Sequence, residues 1–275
     1  MRVSVLGSGS RGNALLVDAG NTRVLVDVGF GVRTIASRLA QLGCAPESID
    51  AVVLTHEHVD HAQGALAACA RWQWPLYATE GTLAALPNAL VPVRTIAHGQ
   101  SWSVGDLVGA SASVPHDAAD CAALVFEHMR TGERAGIALD VGHVPEHLPT
   151  FLSRLDLLVV EANHDRAQLL AGPYPWSLKQ RILGAKGHLS NDEAAALVAA
   201  CVHRGLRGVV LAHLSETNNS PALAIATFAR ALKRCGPKAT AARRTIVAAV
   251  QRLPTGPVSG WARKAFATGQ LELSL

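Results

Sequence analysis

Residues 55–61 read Thr55-His56-Glu57-His58-Val59-Asp60-His61, an H-x-H-x-D-H pattern. The run before it, Ile49-Asp50-Ala51-Val52-Val53-Leu54, has the β-branched, apolar look of a buried strand. The run after it, Ala62-Gln63-Gly64-Ala65-Leu66-Ala67-Ala68, looks helical. The heptad is therefore expected on a strand-to-helix turn. Three imidazoles and a carboxylate so close together offer more borderline donors than one tetrahedral ion absorbs, so two divalent metal ions near each other are the natural expectation. Alternation along an extended turn sends His56 and His58 to one ion. Asp60 and His61, entering the helix, face the other.

A His-rich surface turn needs no metal, but further donors recur at matching places. His116 ends Ser111-Ala112-Ser113-Val114-Pro115, Asp140 follows Ala135-Gly136-Ile137-Ala138-Leu139, and His213 follows Gly208-Val209-Val210-Leu211-Ala212. Each is a single donor just past an apolar run, which is how a sheet presents side chains along one edge. Together these residues resemble the metallo-β-lactamase superfamily, from Met1 to roughly Asn219. The resemblance implies an α/β fold, an αβ/βα four-layer sandwich in a single domain. It also implies that His56, His58 and His116 hold one metal, that Asp60, His61 and His213 hold the other, and that Asp140 bridges them. Zinc is the first expectation from the His-rich set, with manganese second because two carboxylates take part.

Composition agrees with this class. At 275 residues and 49% hydrophobic, the chain can bury a sizeable core. The catalytic domain is expected over residues 1–236, with a basic C-terminal extension, 237–275, packed on the same domain. Met1-Arg2-Val3-Ser4-Val5-Leu6 runs into Gly7-Ser8-Gly9 without the apolar core of a secretory leader, and no apolar stretch is long enough for a membrane span. Five scattered cysteines, none in a C-x-x-C pair, suit a reduced compartment, so a cytoplasmic, membrane-free protein is expected. Oligomeric state is left open.

Gly7-Ser8-Gly9-Ser10-Arg11-Gly12 formally satisfies G-x-G-x-x-G after a strand, with Asp27 at the distance of a ribose contact. A dinucleotide site needs a helix next. Instead, two apolar runs flank Gly20-Asn21, the pattern of a β-hairpin, so a nicotinamide site is rejected. Further on, Gly31 to Leu42 is expected to be helical, Ser101 to Ser113 strand-like, Leu155 to Glu161 a buried strand, and Asn191 to His203 an Ala-rich helix.

Two segments bear on substrate. In Gly187-His188-Leu189-Ser190-Asn191-Asp192-Glu193, Ser190 and Glu193 form a capping box. A helix N-terminus attracts anions, so Ser190, Asn191 and the nearby amides are candidates for a phosphate, with His188 as phosphate ligand or proton donor. A plain helix cap is the simpler alternative. In Gly172-Pro173-Tyr174-Pro175-Trp176-Ser177-Leu178-Lys179-Gln180-Arg181, Tyr174 and Trp176 stand beside Lys179 and Arg181, a mix that suits stacked bases and phosphates. The same loop can equally pack onto the sheet. His164 is read as a partner of a ligand rather than as a ligand.

Taken with Pro115-His116-Asp117, Glu161-Ala162-Asn163-His164-Asp165 and Leu211-Ala212-His213-Leu214-Ser215-Glu216-Thr217-Asn218-Asn219, these strings resemble the bacterial YycJ (WalJ) type of the superfamily. Val141 departs from the Ser or Thr expected there. The resemblance implies a metal-dependent phosphodiesterase acting as a DNA 5′ exonuclease, with Asp60, Asp140 and His188 as its catalytic side chains. A small-molecule hydrolase of the same fold, such as a cyclic phosphodiesterase or a glyoxalase-II-like thioesterase, is the alternative. Charge favours nucleic acid. Between Thr217 and Leu271 there is no Asp or Glu, while nine Lys and Arg occur against a net +4 for the whole chain, so the remainder is net −5. Such asymmetry suits a polyanion-binding flank.

Overall fold

The computed structural model describes residues 1–87, 90–236 and 244–259, and the backbone of 272–274. The chain opens with β1 (Arg2–Gly7), β2 (Ala14–Asp18), β3 (Arg23–Val26), α1 (Val32–Gln41), β4 (Ala51–Val53), α2 (Val59–Ala62), α3 (Ala65–Trp72), β5 (Leu76–Thr79), α4 (Glu80–Ala85) and β6 (Val93–Ile96). It continues with β7 (Ser101–Val104), β8 (Leu107–Ser113), β9 (Ala122–His128), β10 (Arg134–Ala138), α5 (Leu148–Phe151), β11 (Leu157–Glu161), α6 (Arg166–Ala171), α7 (Trp176–Leu183) and α8 (Asn191–Cys201). Then come β12 (Gly208–Ala212), α9 (Pro221–Arg234), β13 (Thr245–Ala248), β14 (Thr255–Ser259) and β15 (Glu272–Ser274).

The strands form two sheets, ordered β14-β1-β2-β3-β4-β5-β6 and β15-β13-β12-β11-β10-β9-β8-β7. Strand β9 shows why they stack. Its Ala122, Leu124 and Phe126 point between the sheets, where they meet Val3, Leu15 and Val24 of the first sheet. The alternating Ala123 and Val125 point outward, towards Ala194 and Val198 of α8 and Phe228 of α9. Period-2 alternation with both faces apolar is what a strand covered on both sides requires. Side chains as fully buried as Leu124 and Phe126 each contribute ~1.5–3 kcal/mol. On the far side, Ile35 and Leu39 of α1 and Ala65 and Cys69 of α3 cover Leu16, Leu25 and Val52. The layers run helix, sheet, sheet, helix, as the resemblance implies.

Strands β3 to β6 pair in parallel, as do β10 to β13. Parallel neighbours need crossovers, and the chain beyond the carboxyl end of each strand becomes a loop at one rim. That rim receives His56 after β4, His116 after β8, Asp140 after β10, Glu161 closing β11, and His213 after β12.

Local details differ from the sequence expectations in two places. Ser101 to Ser113 is not one strand but the β7–β8 hairpin, turning at Gly105 with φ +50°. The helix after the heptad begins early, at Val59, and breaks at Gln63-Gly64 before α3. A Cβ on Gly64 would come within 2.0 Å of the Phe30 carbonyl oxygen, so the chain bends where only glycine fits. Beyond α9 the chain returns to both sheets: β13 pairs with β12 inside the second, and β14 pairs with β1 in the first.

Candidate functional site

Among the described residues four donor groups meet at this rim, one of them Asp140, Glu161, His188 and His213. One nitrogen each from His56, His58 and His116 lie within 4.8 Å of one another, and so do donors of Asp60, His61 and His213. His56 also belongs to a group with His61 and Asp140, which links the two clusters. Asp140 Oδ2 lies 2.7 Å from His61 Nε2, while its Oδ1 is 3.6 Å from His213 Nε2 and 3.1 Å from His188 Nδ1. Despite that proximity Asp140 Oδ2 has no aligned hydrogen-bond donor, and buried His56 Nε2 has no partner either. A His56 Nε2 without a partner and an Asp140 Oδ2 met only by the charge of His61 are costly for a protein alone. They fit a metal centre, where both would point at an ion.

The outer nitrogens explain the ring orientations. Asp27 is fully buried, and its carboxylate accepts from Thr55 N–H at 2.8 Å, from Thr55 Oγ1 at 2.9 Å, and from His61 Nδ1 at 2.7 Å. Because the Thr55 hydroxyl hydrogen goes to Asp27, Thr55 Oγ1 must accept from His56 Nδ1, 3.0 Å away. His116 Nδ1 donates to the Gly187 carbonyl at 3.1 Å. His213 is steadied by Asn163, whose amide lies 3.1 Å from its Nδ1. In His56, His61 and His116 the far nitrogen therefore donates and Nε2 is left for the centre, the arrangement that fixes tautomer and raises ligand basicity, while the acceptor nearest His213 Nδ1 is Glu161 Oε1 at 3.5 Å. His58 is reversed, its Nε2 facing the Asp117 carbonyl at 3.3 Å. Asp27, Asp140 and His213 all take the left-handed conformation, with φ of 60°, 52° and 54°. Such backbone is uncommon for non-glycine residues and clusters at sites whose surroundings hold it.

Charge is balanced tightly. Burial, reinforced by His61, His116 and His58, holds His56 well below the ordinary imidazole range, so it is neutral and ready to ligate. Burial also opposes ionisation of Asp140, but the charges of His213 and His61 keep its carboxyl well below the usual range. For His61, burial is outweighed by Asp140 and Asp27, which lift it to about 10. For His188, burial is outweighed by Glu161 and by a bond to Asp140, giving about 9. A metal ion would displace the protons on His61 and His213, so its uptake is linked to proton release.

These elements surround a pocket of about 280 Å³. His58, Asp60, His116, Asp140 and His213 line it, with His188, Tyr174 and Arg181 beside them. His188 Nδ1 donates to Glu161 Oε1 at 2.6 Å, leaving Nε2 for the pocket.

The model of the β-lactamase superfamily domain matches residues 22–214. The chain belongs to that superfamily. Within it, the chain is 33% identical to exodeoxyribonuclease WalJ of Streptococcus pneumoniae serotype 2 over 238 residues, 84% of this chain and 88% of the relative. It is 31% identical to exodeoxyribonuclease YycJ of Bacillus anthracis over 241 residues, covering 86% and 90%. The solved structure of zinc-bound PqqB from Methylobacterium extorquens shares the fold, with a TM-score of 0.65 at 20% identity, covering 92% of this chain and 99% of that one.

Not every residue singled out in the sequence reaches the pocket of this superfamily member. Ser190 and Asn191 are buried, and their groups are already used. Ser190 Oγ accepts from Glu193 N, Ser190 N donates to Glu193 Oε2, and Asn191 N donates to the His164 carbonyl. The capping box is complete, so the amides of Ser190 and Asn191 expected at an anion site are already engaged. Lys179 is also buried, its Nζ donating to the carbonyls of Leu170 and Gly172 at 2.7 Å. Trp176 is exposed and lies outside the pocket lining. In the basic flank, Arg244 is buried and donates to the carbonyls of Leu206 and His203. Lys238, Arg243, Arg263 and Lys264 lie outside the described residues.

Sequence reasoning assigned no role to Glu161 or Asn163, and considered Asp27 only as a ribose contact. Asp27 ends the apolar run Val24-Leu25-Val26, and Glu161 ends Leu157-Leu158-Val159-Val160. That is the same signal that marked Asp140 and His213.

Proposed function

We propose that the protein is a dinuclear metal-dependent phosphodiesterase that acts on DNA as an exonuclease from 5′ ends. The observation that carries this reading is the pair of three-donor clusters linked through Asp140 on the floor of a pocket walled by His188 and Arg181. His56, His58 and His116 would hold one ion, and Asp60, His61 and His213 the other. When bound, the ions polarise a phosphodiester oxygen and acidify water. The His-rich donor set favours zinc, with manganese as the alternative.

The chain's own groups supply the rest. The His188 imidazolium, held charged by Glu161, donates a proton from Nε2 to the departing oxygen. Arg181 offers a guanidinium to a phosphate, exchanging its present partner Asp117, which it contacts at 2.6 Å. Tyr174 provides a face for a base. The identity with two exodeoxyribonucleases over most of the chain supports DNA over a small-molecule substrate. No helix among the described residues is long and apolar enough to cross a membrane, and a cytoplasmic location suits five free thiols.

The test is degradation of 5′- and 3′-labelled DNA and RNA under zinc and manganese. Release of the 5′ label in the first cut and stepwise shortening of 3′-labelled DNA are expected. Activity confined to small phosphodiesters or thioesters would favour the alternative.

A further inference from the structure

A second cavity, of about 400 Å³, adjoins the metal pocket. The loop 8–12 separates the two. Ser8 lines the second cavity, Ser10 lines the metal pocket, and Ser215 lines both. This partition is thin and fixed: Gln251 Oε1 accepts from Arg11 N at 2.9 Å, and its Nε2 donates to the Gly12 carbonyl at 2.9 Å. Gly9 has φ +149°, a backbone conformation that other residues rarely adopt, and a Cβ on it would sit 2.7 Å from Gln251 Oε1. The larger groove along β7 and β8, lined by residues such as His98 and Phe151, shares no lining residue with the metal pocket.

The chemistry of the second cavity differs from that of the first. Leu214, Pro221, Val250 and Leu253 make it mainly apolar, and Leu253 at its edge is 59% exposed. Beside it, Glu216 lies between two well-exposed arginines. It pairs with Arg11 and lies 3.7 Å from Arg252 Nε. Two guanidiniums against one carboxylate leave a net positive charge, ready for an anion. A phosphodiester carries a nucleoside on each side, whereas a pocket of 280 Å³ is near the lower end of the size that encloses one small ligand. The second nucleoside must lie next door.

We propose that this cavity is a second nucleotide subsite. It takes the sugar and base on the far side of the scissile bond against Leu214, Val250 and Leu253, with Arg252 and Arg11 on the next phosphate of the strand. The proposal rests on the phosphodiesterase reading and adds where the strand runs.

The experiment compares two substrates, methyl p-nitrophenyl phosphate, whose single large group leaves nothing to fill the second cavity, and a 5′-phosphorylated trinucleotide, in the wild type, Leu253→Ala, Arg252→Ala and the double variant. Both side chains are exposed, and turnover of the small ester reports whether each variant is folded. The ratio of kcat/KM for trinucleotide to small ester should fall roughly ten-fold in each single variant, the scale of one lost apolar or charge-assisted contact, mainly through KM. An unchanged ratio overturns the subsite. If the wild type cleaves the ester but no oligonucleotide, the exonuclease reading fails instead. Fluorescence anisotropy with a labelled single-stranded decanucleotide then decides the subsite: weaker binding by the variants supports it, and equal affinity overturns it.

Discussion

Replacing Glu161 by Gln tests the proposed acid while leaving every residue assigned to the ions in place, although Glu161 Oε1 also lies 3.5 Å from His213 Nδ1. Glu161 is fully buried, and its carboxylate receives His188 Nδ1–H at 2.6 Å, Val141 N–H at 2.9 Å and Leu189 N–H at 3.3 Å. Burial alone would lower the His188 pKa, and Glu161 is the largest influence raising it to about 9. Holding the imidazolium there rather than at 6.5 corresponds to ~3 kcal/mol. Glutamine keeps the volume and an oxygen for the two backbone donors but removes the charge. At pH 8 the charged fraction of His188 would fall from ~90% to a few per cent as its pKa returns towards 6.5. The rate on labelled DNA should then fall by ~10², the lower end for a lost acid, with the alkaline limb of the pH–rate profile moving to lower pH. Metal content, read by elemental analysis, should stay at the wild-type level. A wild-type rate with an unmoved alkaline limb would refute the reasoning, and loss of metal together with rate would show that Glu161 acts through the ligands instead.

Asp27→Asn should weaken metal binding ~10- to 100-fold in competition with a chelator, because the neutral amide no longer fixes His61; undiminished affinity would show that its carboxylate does not matter. In metal-free protein, His61 and His188 are raised above 6.5 to about 10 and about 9, so the stability they contribute is complete below pH 6.5 and lost as pH rises through 9 to 10. The Tm of chelator-treated protein should accordingly decline between pH 7 and 10 while metal-loaded protein changes less, and parallel curves would contradict this. Arg244→Ala should lower stability by ~1–3 kcal/mol in urea unfolding, since it leaves the Leu206 carbonyl without its buried donor, whereas the salt dependence of DNA binding should not move.

The cluster of candidate metal donors is legible in the sequence because they stand singly past apolar runs, and strand ends in this layered architecture converge on one rim. The hairpin after Gly12 is equally legible, from two short apolar runs around Gly20-Asn21. Partnerships are harder to read. Nothing near Asp27 in the chain says that it reaches His61 and Thr55, because that contact depends on β3 pairing beside β4. Ser190 illustrates a different limit. One motif supports both a capping box and an anion site, and the same hydrogen-bonding groups cannot serve both at once. Counting charges along the tail likewise says nothing about direction, and Arg244 turns inward to loop carbonyls. The tail also holds Thr245-Ile246-Val247-Ala248, a β-branched run whose place inside the second sheet is fixed by parallel pairing with β12 rather than by composition.

The central claim is that two linked donor clusters hold two ions. Elemental analysis of protein purified without chelator and then saturated in turn with zinc, manganese and iron measures this directly. The account predicts close to two equivalents per chain for the preferred metal, falling in Asp140→Ala together with turnover. A value that never exceeds one equivalent with any of the three metals would contradict it.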